Sequence, residues 1–227
     1  HITLRQRGAR SEEQMVEDIP LNTIDLDDQE VGAEIIHRVD TSISDGIVNA
    51  SIELNASMIV MGWHEQRTLM ESVFGSIVDQ VLLKVDVPVL VGRITTSINA
   101  MKRLVLVIPC NSLVLGSMRD VLDTVTIIAS AMNVPMLILS DEDYLEDLRH
   151  HLEEMDVGPS YKIFRLGQNI VSDVLPRTGP QDLVMVTTLV SKLRFGSCLG
   201  NVPEQLAESS SASLAVFIHP TSTTLAG

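Results

Sequence analysis

The sequence predicts an α/β protein of two consecutive parallel-sheet domains, residues 1–97 and 98–227, and three observations carry that prediction. Strand-sized apolar runs alternate with segments whose apolar residues recur at helical spacing. The chain matches itself when shifted by 125 positions. Its 227 residues exceed the roughly 100–150 of a usual domain, and with 45% apolar but only 3% aromatic residues the cores must be Val, Ile, Leu, Met and Ala, which suits helices packed on a buried parallel sheet.

In the first domain, Glu34 to Val39 is a short strand, followed by Ile43, Ile47, Ala50 and Leu54 at helical spacing. Met58 to Met61 is a buried strand that stops at Gly62. From Ser76, the residues Ile77, Val78, Val81, Leu82 and Val85 form the apolar face of an amphipathic helix, with Asp79, Gln80 and Lys84 opposite. Val87 to Gly92 is the closing strand, and a linker is expected at Thr95 to Ala100.

The alternation then restarts. Arg103 to Ile108 is a strand, and Met118, Val121, Leu122, Val125, Ile128, Ala129 and Met132 mark a regular helix face. Pro135 to Leu139, Tyr161 to Arg165, Leu183 to Val186 and Leu214 to Ile218 are further strands, with helices expected at 144–155, 169–175 and 202–208 between them. Strand and helix in alternation imply right-handed βαβ crossovers and parallel strands.

The 125-residue shift places Met58-Ile59-Val60-Met61 on Leu183-Val184-Met185-Val186, the helix opening at Gly75-Ser76 on Gly200-Asn201, and Val89-Leu90-Val91 on Leu214-Ala215-Val216. The counterpart of Arg103 to Ile108 would fall before residue 1. The first domain is therefore expected to lack its first strand and most of its first helix.

A candidate ligand site follows from two glycines. Gly62 ends a buried strand, where the absence of a side chain lets a ligand approach the backbone. Gly75-Ser76 opens a helix, offering unpaired N–H groups, a hydroxyl and the positive end of the dipole to a phosphate. A Ser before a helix is also what any helix prefers as a cap, so it is the combination with Gly62 that points to binding. His64, between the glycines, is within loop reach of a phosphate, although a solvated loop histidine is the commoner case. Trp63 is equally suited to stacking on a base and to packing under the loop.

Ile59-Val60-Met61-Gly62-Trp63-His64, with Phe74-Gly75-Ser76 and Val87 to Val91, resembles the universal stress protein domain. That family carries a nucleotide-binding pattern of Gly, two residues, Gly, nine residues, Gly and then Ser or Thr. Here Gly62, Gly75 and Ser76 match at the family's spacing, and Glu65 stands in place of the middle glycine. A carboxylate there repels a polyphosphate but could accept hydrogen bonds from a ribose. The resemblance implies a Rossmann-like fold and a site for ATP or another adenine nucleotide at Gly62, His64, Glu65, Gly75 and Ser76. In the second domain Pro109 and Thr187 replace the family's strand-end residues, which implies a lost site.

Several phrases are similar to a narrower group, the paired stress-protein domains in the cytosolic C-terminal region of bacterial monovalent cation/proton antiporters. They are Asp45-Gly46-Ile47, Gly62-Trp63, Pro109-Cys110-Asn111, Leu199 to Ala207 and His219-Pro220. The resemblance implies a cytoplasmic regulatory module attached to the membrane portion of the same polypeptide, and a homodimer paired through the last strands, Val87 to Gly92 or Leu214 to Ile218. The alternatives are a free-standing tandem stress protein that binds ATP and a non-binding dimerisation domain.

The remaining features exclude more than they assign. A net charge of −14 repels nucleic acid and anionic lipid, though not an anion held by helix N–H groups. No apolar run approaches the ~20 residues that span a bilayer, and no signal-peptide pattern opens the sequence. Cys110 and Cys198 are too far apart for a CxxC motif and are expected as free thiols. No metal is expected, because His150-His151 and Glu153-Glu154 lie on a helix whose adjacent residues diverge; a solvated face is the simpler reading. Ser209 to Ser211 lacks the glycines of a nucleophile elbow, and no catalytic constellation for an enzyme is present.

Overall fold

The computed structural model describes residues 2–6, 36–63, 75–109, 115–154, 158–190 and 201–220. The chain divides into two compact units, His1–Asn55 and Ala56–Gly227.

The first unit contains β1 (Ile2–Gln6), β2 (Ile36–Asp40) and α1 (Ile43–Glu53). β1 and β2 pair in parallel, Ile2 opposite Ile36 and Gln6 opposite Asp40. Ser42 caps α1, its Oγ accepting from the Asp45 N–H at 3.1 Å, while Asp45 accepts in turn from the hydroxyls of Ser42 (2.7 Å) and Thr41 (2.8 Å). Arg38 reaches from β2 to Glu53 at 2.7 and 3.1 Å, tying the strand to the end of α1. Its hydrogen bond holds the Glu53 carboxyl below the ordinary carboxylate range. The helix exits through Asn55 in the left-handed conformation (φ 48°), as Asn133 (φ 53°) does after α3 in the second unit.

The second unit contains β3 (Ile59–Gly62), α2 (Gly75–Lys84), β4 (Val89–Arg93), β5 (Arg103–Ile108), α3 (Leu115–Ala131), β6 (Met136–Ser140), α4 (Leu145–Glu154), β7 (Tyr161–Arg165), α5 (Ile170–Val174), β8 (Asp182–Val190), α6 (Val202–Ser209) and β9 (Ser213–Pro220). Its strands form one seven-stranded sheet in the order β3-β4-β9-β8-β5-β6-β7. Leu104 to Ile108 of β5, at the middle of the β8-β5-β6 portion, are wholly inaccessible. Met118, Val121, Leu122, Val125 and Ala129 of α3 pack with Leu104, Leu106 and Ile108 in a core that extends through Leu148 and Leu152 of α4 to Met185 and Phe217. A strand buried on both faces needs a continuous apolar sequence, and Leu-Val-Leu-Val-Ile supplies it.

The structure corrects the expectation of wholly parallel strands. Every pair in the sheet is parallel except β4 with β9, which run antiparallel with Val89 opposite Ile218 and Arg93 opposite Leu214. The result is a mixed α/β sheet in which the last strand of the first half is hydrogen-bonded to the last strand of the second. The two edges expected to serve a homodimer are thereby paired to each other within one chain.

The segment expected as a linker is also fastened. Thr95 N–H donates to Ser213 Oγ at 3.0 Å, and Thr96 Oγ1 donates to the Pro180 carbonyl at 2.8 Å. Residues Ile98–Ala100 then form a short 3-10 turn before β5.

Candidate functional site

The site begins at the carboxyl end of β3. Gly62 pairs with Gly92 of β4, and the ladder continues one residue further through the Trp63 N–H, which donates to the Gly92 carbonyl at 2.8 Å. A Cβ placed on Gly62 would meet no atom within 4 Å, so packing does not require a glycine there, and the backbone is approachable from outside. A Cβ on Gly92, by contrast, would lie 3.5 Å from the Leu214 carbonyl oxygen across the β4·β9 seam. Trp63 is half-buried.

Gly75 and Ser76 are the first two residues of α2. Because β3 and β4 are parallel neighbours, α2 carries the chain back from the carboxyl end of β3 to the start of β4. Its first turn therefore faces the same rim of the sheet as Gly62, the rim at which open α/β sheets take up ligands. The N–H groups of that turn have no intrahelical acceptors. His64 and Glu65 lie outside the described residues.

At the corresponding place in the second half the chemistry differs. Thr187 of β8 is buried, and its hydroxyl donates to the Val107 carbonyl at 3.3 Å. Asn201 precedes α6 at the capping position but makes no side-chain cap, and Pro203 in the first turn has no N–H to offer an anion. Glu204 occupies that turn, half-buried, with Oε2 unpartnered. Burial pushes its carboxyl above the ordinary range, a bond from its own backbone N–H pulls the other way, and nearby Glu208 adds repulsion. A carboxylate that takes a helix-start N–H for itself opposes a bound phosphate.

Other groups singled out in the sequence are placed as follows. His151 is not a solvated side chain: its Nε2 lies 3.0 Å from Asp123 Oδ1 of α3 and its side chain is 14% exposed, while His150 faces Glu154 at 3.3 Å on the surface. Among the described residues no group of three or more His, Cys, Asp or Glu could hold a metal ion, and no helix is long and apolar enough to cross a membrane. Cys110 and Cys198 lie outside the described residues. A cleft of about 330 Å³ lined by Thr126, Met136, Gly158, Ser160 and Tyr161 opens at the amino ends of β6 and β7 and includes none of the predicted site residues.

Residues 3–93 match the Universal stress protein family. That span runs from β1 through β4 and takes in Gly62, Gly75 and Ser76. The fold is similar to that of a universal stress protein from Archaeoglobus fulgidus DSM 4304, with 17% identity, a TM-score of 0.53, and 84% of this chain and 70% of that chain covered. It is also similar to the cytoplasmic domain of a prokaryotic cation chloride cotransporter, with 13% identity, a TM-score of 0.56, and 83% and 74% covered. No curated protein matches the sequence.

Arg93 was not singled out in the sequence, where it is an ordinary basic residue after a strand. Its guanidinium donates to the Ala207 carbonyl at 2.6 Å and to the Ser210 carbonyl at 3.4 Å, joining β4 to the exit of α6.

Proposed function

We propose that the chain is a pair of stress-protein-type domains in tandem that forms the cytoplasmic regulatory part of a membrane cation transporter of the cation/proton antiporter kind, and that its first half binds an adenine nucleotide. The observation that carries this reading is the unobstructed Gly62 at the carboxyl end of β3 on the same rim as the Gly75-Ser76 helix start, within the span that matches the family. The recurrence of strands at one interval supports the tandem: β2 begins at Ile36 and β7 at Tyr161. The similarity in fold to a transporter's cytoplasmic domain supports the context.

In the bound state the free N–H groups of α2 and the Ser76 hydroxyl hold phosphate, and the Gly62 backbone lies against the sugar. His64 and Glu65 flank the ligand, with Glu65 accepting from ribose hydroxyls. The chemistry is binding without turnover, and no metal is required.

Calorimetry with ATP, ADP, AMP and cyclic dinucleotides tests the reading, on the 227-residue chain and on a chain extended upstream. Gly75→Val places a branched side chain where the anion sits, and affinity should fall by more than tenfold, which is about 1.4 kcal/mol. No binding of any of these nucleotides to the extended wild-type chain would leave a structural role only. The homodimer is proposed to form through a surface other than β4 and β9, and a monomeric mass by light scattering at high concentration would remove it.

A further inference from the structure

Arg93 follows Gly92 in the chain, and the Gly92 carbonyl accepts the Trp63 N–H at the carboxyl rim of β3 and β4. From that rim the Arg93 guanidinium reaches two carbonyls at the exit of α6, those of Ala207 at 2.6 Å and Ser210 at 3.4 Å. The next residues keep the same course. The N–H groups of Thr95 and Thr96 both donate to Ser213 Oγ, at 3.0 and 3.3 Å, and the Thr95 hydroxyl donates to the Ser211 carbonyl at 3.3 Å. Ser213 is the first residue of β9 and is wholly inaccessible. Residues 93–96 are thus stitched along the turn that carries the second half from α6 into its last strand. A guanidinium at a helix exit meets carbonyls without intrahelical donors and the negative end of the dipole. A buried hydroxyl that accepts from two backbone N–H groups is out of reach of replacement by water, so parting them leaves both donors unsatisfied. Strap and turn therefore hold, or open, together.

We propose that the end of the β3·β4 ladder and the exit of α6 form one cooperative opening unit, joined by the 93–96 strap, through which a ligand at the Gly62 rim controls order at α6 of the second half. Two backbone bonds report on its ends. One is the Trp63 N–H to the Gly92 carbonyl at 2.8 Å; the other is the Ser210 N–H to the Leu206 carbonyl at 2.9 Å, which closes the last turn of α6. When the unit opens, both bonds break. A ligand that binds only the closed rim suppresses that opening, and the exit of α6 gains the same protection without touching the ligand. The identity of the ligand rests on the nucleotide reading above; the shared opening does not.

Native-state amide exchange in increasing urea tests this first without any nucleotide. In the wild-type chain Trp63 and Ser210 should have opening equilibria within about twofold of each other and the same dependence on urea, ahead of global unfolding. Arg93→Ala should separate them, speeding Ser210 by about tenfold or more and Trp63 by less than about twofold. Unequal openings in the wild type, as a cap of purely local effect would give, overturn the proposal. So does a common opening that survives in Arg93→Ala, or exchange of both amides only through global unfolding. ATP at about ten times its Kd should slow both amides about tenfold in the wild type, and Trp63 alone in Arg93→Ala. Slowing of Trp63 alone in the wild type also overturns the coupling. If no nucleotide binds, the nucleotide reading fails and the exchange comparison without ligand still decides this one. If Arg93→Ala prevents folding, Arg93→Met removes the same donors while keeping the packing of the aliphatic stem.

Discussion

Arg93 donates a 2.6 Å hydrogen bond to the carbonyl of Ala207, and by that contact the closing strand of the first half holds the last turn of the final helix. The helix exit is where carbonyl oxygens lack partners, and a cation there satisfies both the hydrogen bond and the dipole. Arg93→Ala should destabilise the chain by about 1.5–3 kcal/mol, the range for a hydrogen bond to a charged group. Urea unfolding monitored by circular dichroism measures it, and an unchanged midpoint would mean that the contact adds nothing.

Glu204→Gln should raise stability at neutral pH. Burial lifts the folded-state pKa of Glu204, so the folded chain holds this proton more tightly than the unfolded one. Its contribution is full below the unfolded value and is lost as pH rises towards the folded one. Above that window the ionised carboxylate is a penalty that the amide removes. Thermal melts of the two proteins should differ at pH 7 and converge below about pH 4. A variant that is less stable at pH 7 would contradict the sign.

Asp182 accepts from Arg103 at 3.2 and 2.6 Å and from the Gly179 N–H at 2.9 Å while being almost buried. Replacing it with Ala leaves the Arg103 Nε and the Gly179 N–H without an acceptor and the Arg103 Nη2 with the Arg177 carbonyl, and a loss of about 3 kcal/mol is expected. Chemical denaturation gives the number, and a loss under about 1 kcal/mol would show that water takes the place of the carboxylate.

Leu122 and Ile127 lie on one helix with opposite fates, Leu122 wholly buried and Ile127 69% exposed. Leu122→Ala should cost about 2–5 kcal/mol and Ile127→Ala within about 0.5. Similar costs for both would place the apolar face of α3 elsewhere.

Much of this architecture was legible in the sequence, for identifiable reasons. Leu104 to Ile108 could be read because a strand covered on both faces needs an unbroken apolar run, and α3 because Met118, Val121, Leu122 and Val125 keep a helical period. β1 was not legible: Ile-Thr-Leu-Arg-Gln has only two apolar residues in five. The antiparallel β4·β9 seam was not legible either, since periodicity records which face is buried and not which way a neighbour runs. At the site, Gly62 was legible as the end of an apolar strand and Gly75 as the start of a helical period, and their spacing mattered through the family resemblance. Thr187 was legible as a departure at the end of its strand, but the bond of its hydroxyl to Val107 and the half-buried, unpartnered Oε2 of Glu204 depend on tertiary packing that no local pattern records.

The β4·β9 seam has a mechanical consequence. Five residue pairs lock the two strands together while their chain directions oppose. A displacement of β4 towards its own carboxyl end therefore carries β9 in the same direction in space, which is towards the amino end of β9. The carboxyl ends of β3 and β8 lie on opposite rims, so the two halves share one sliding axis and meet it head to tail. The coupling runs through backbone hydrogen bonds rather than through any side chain.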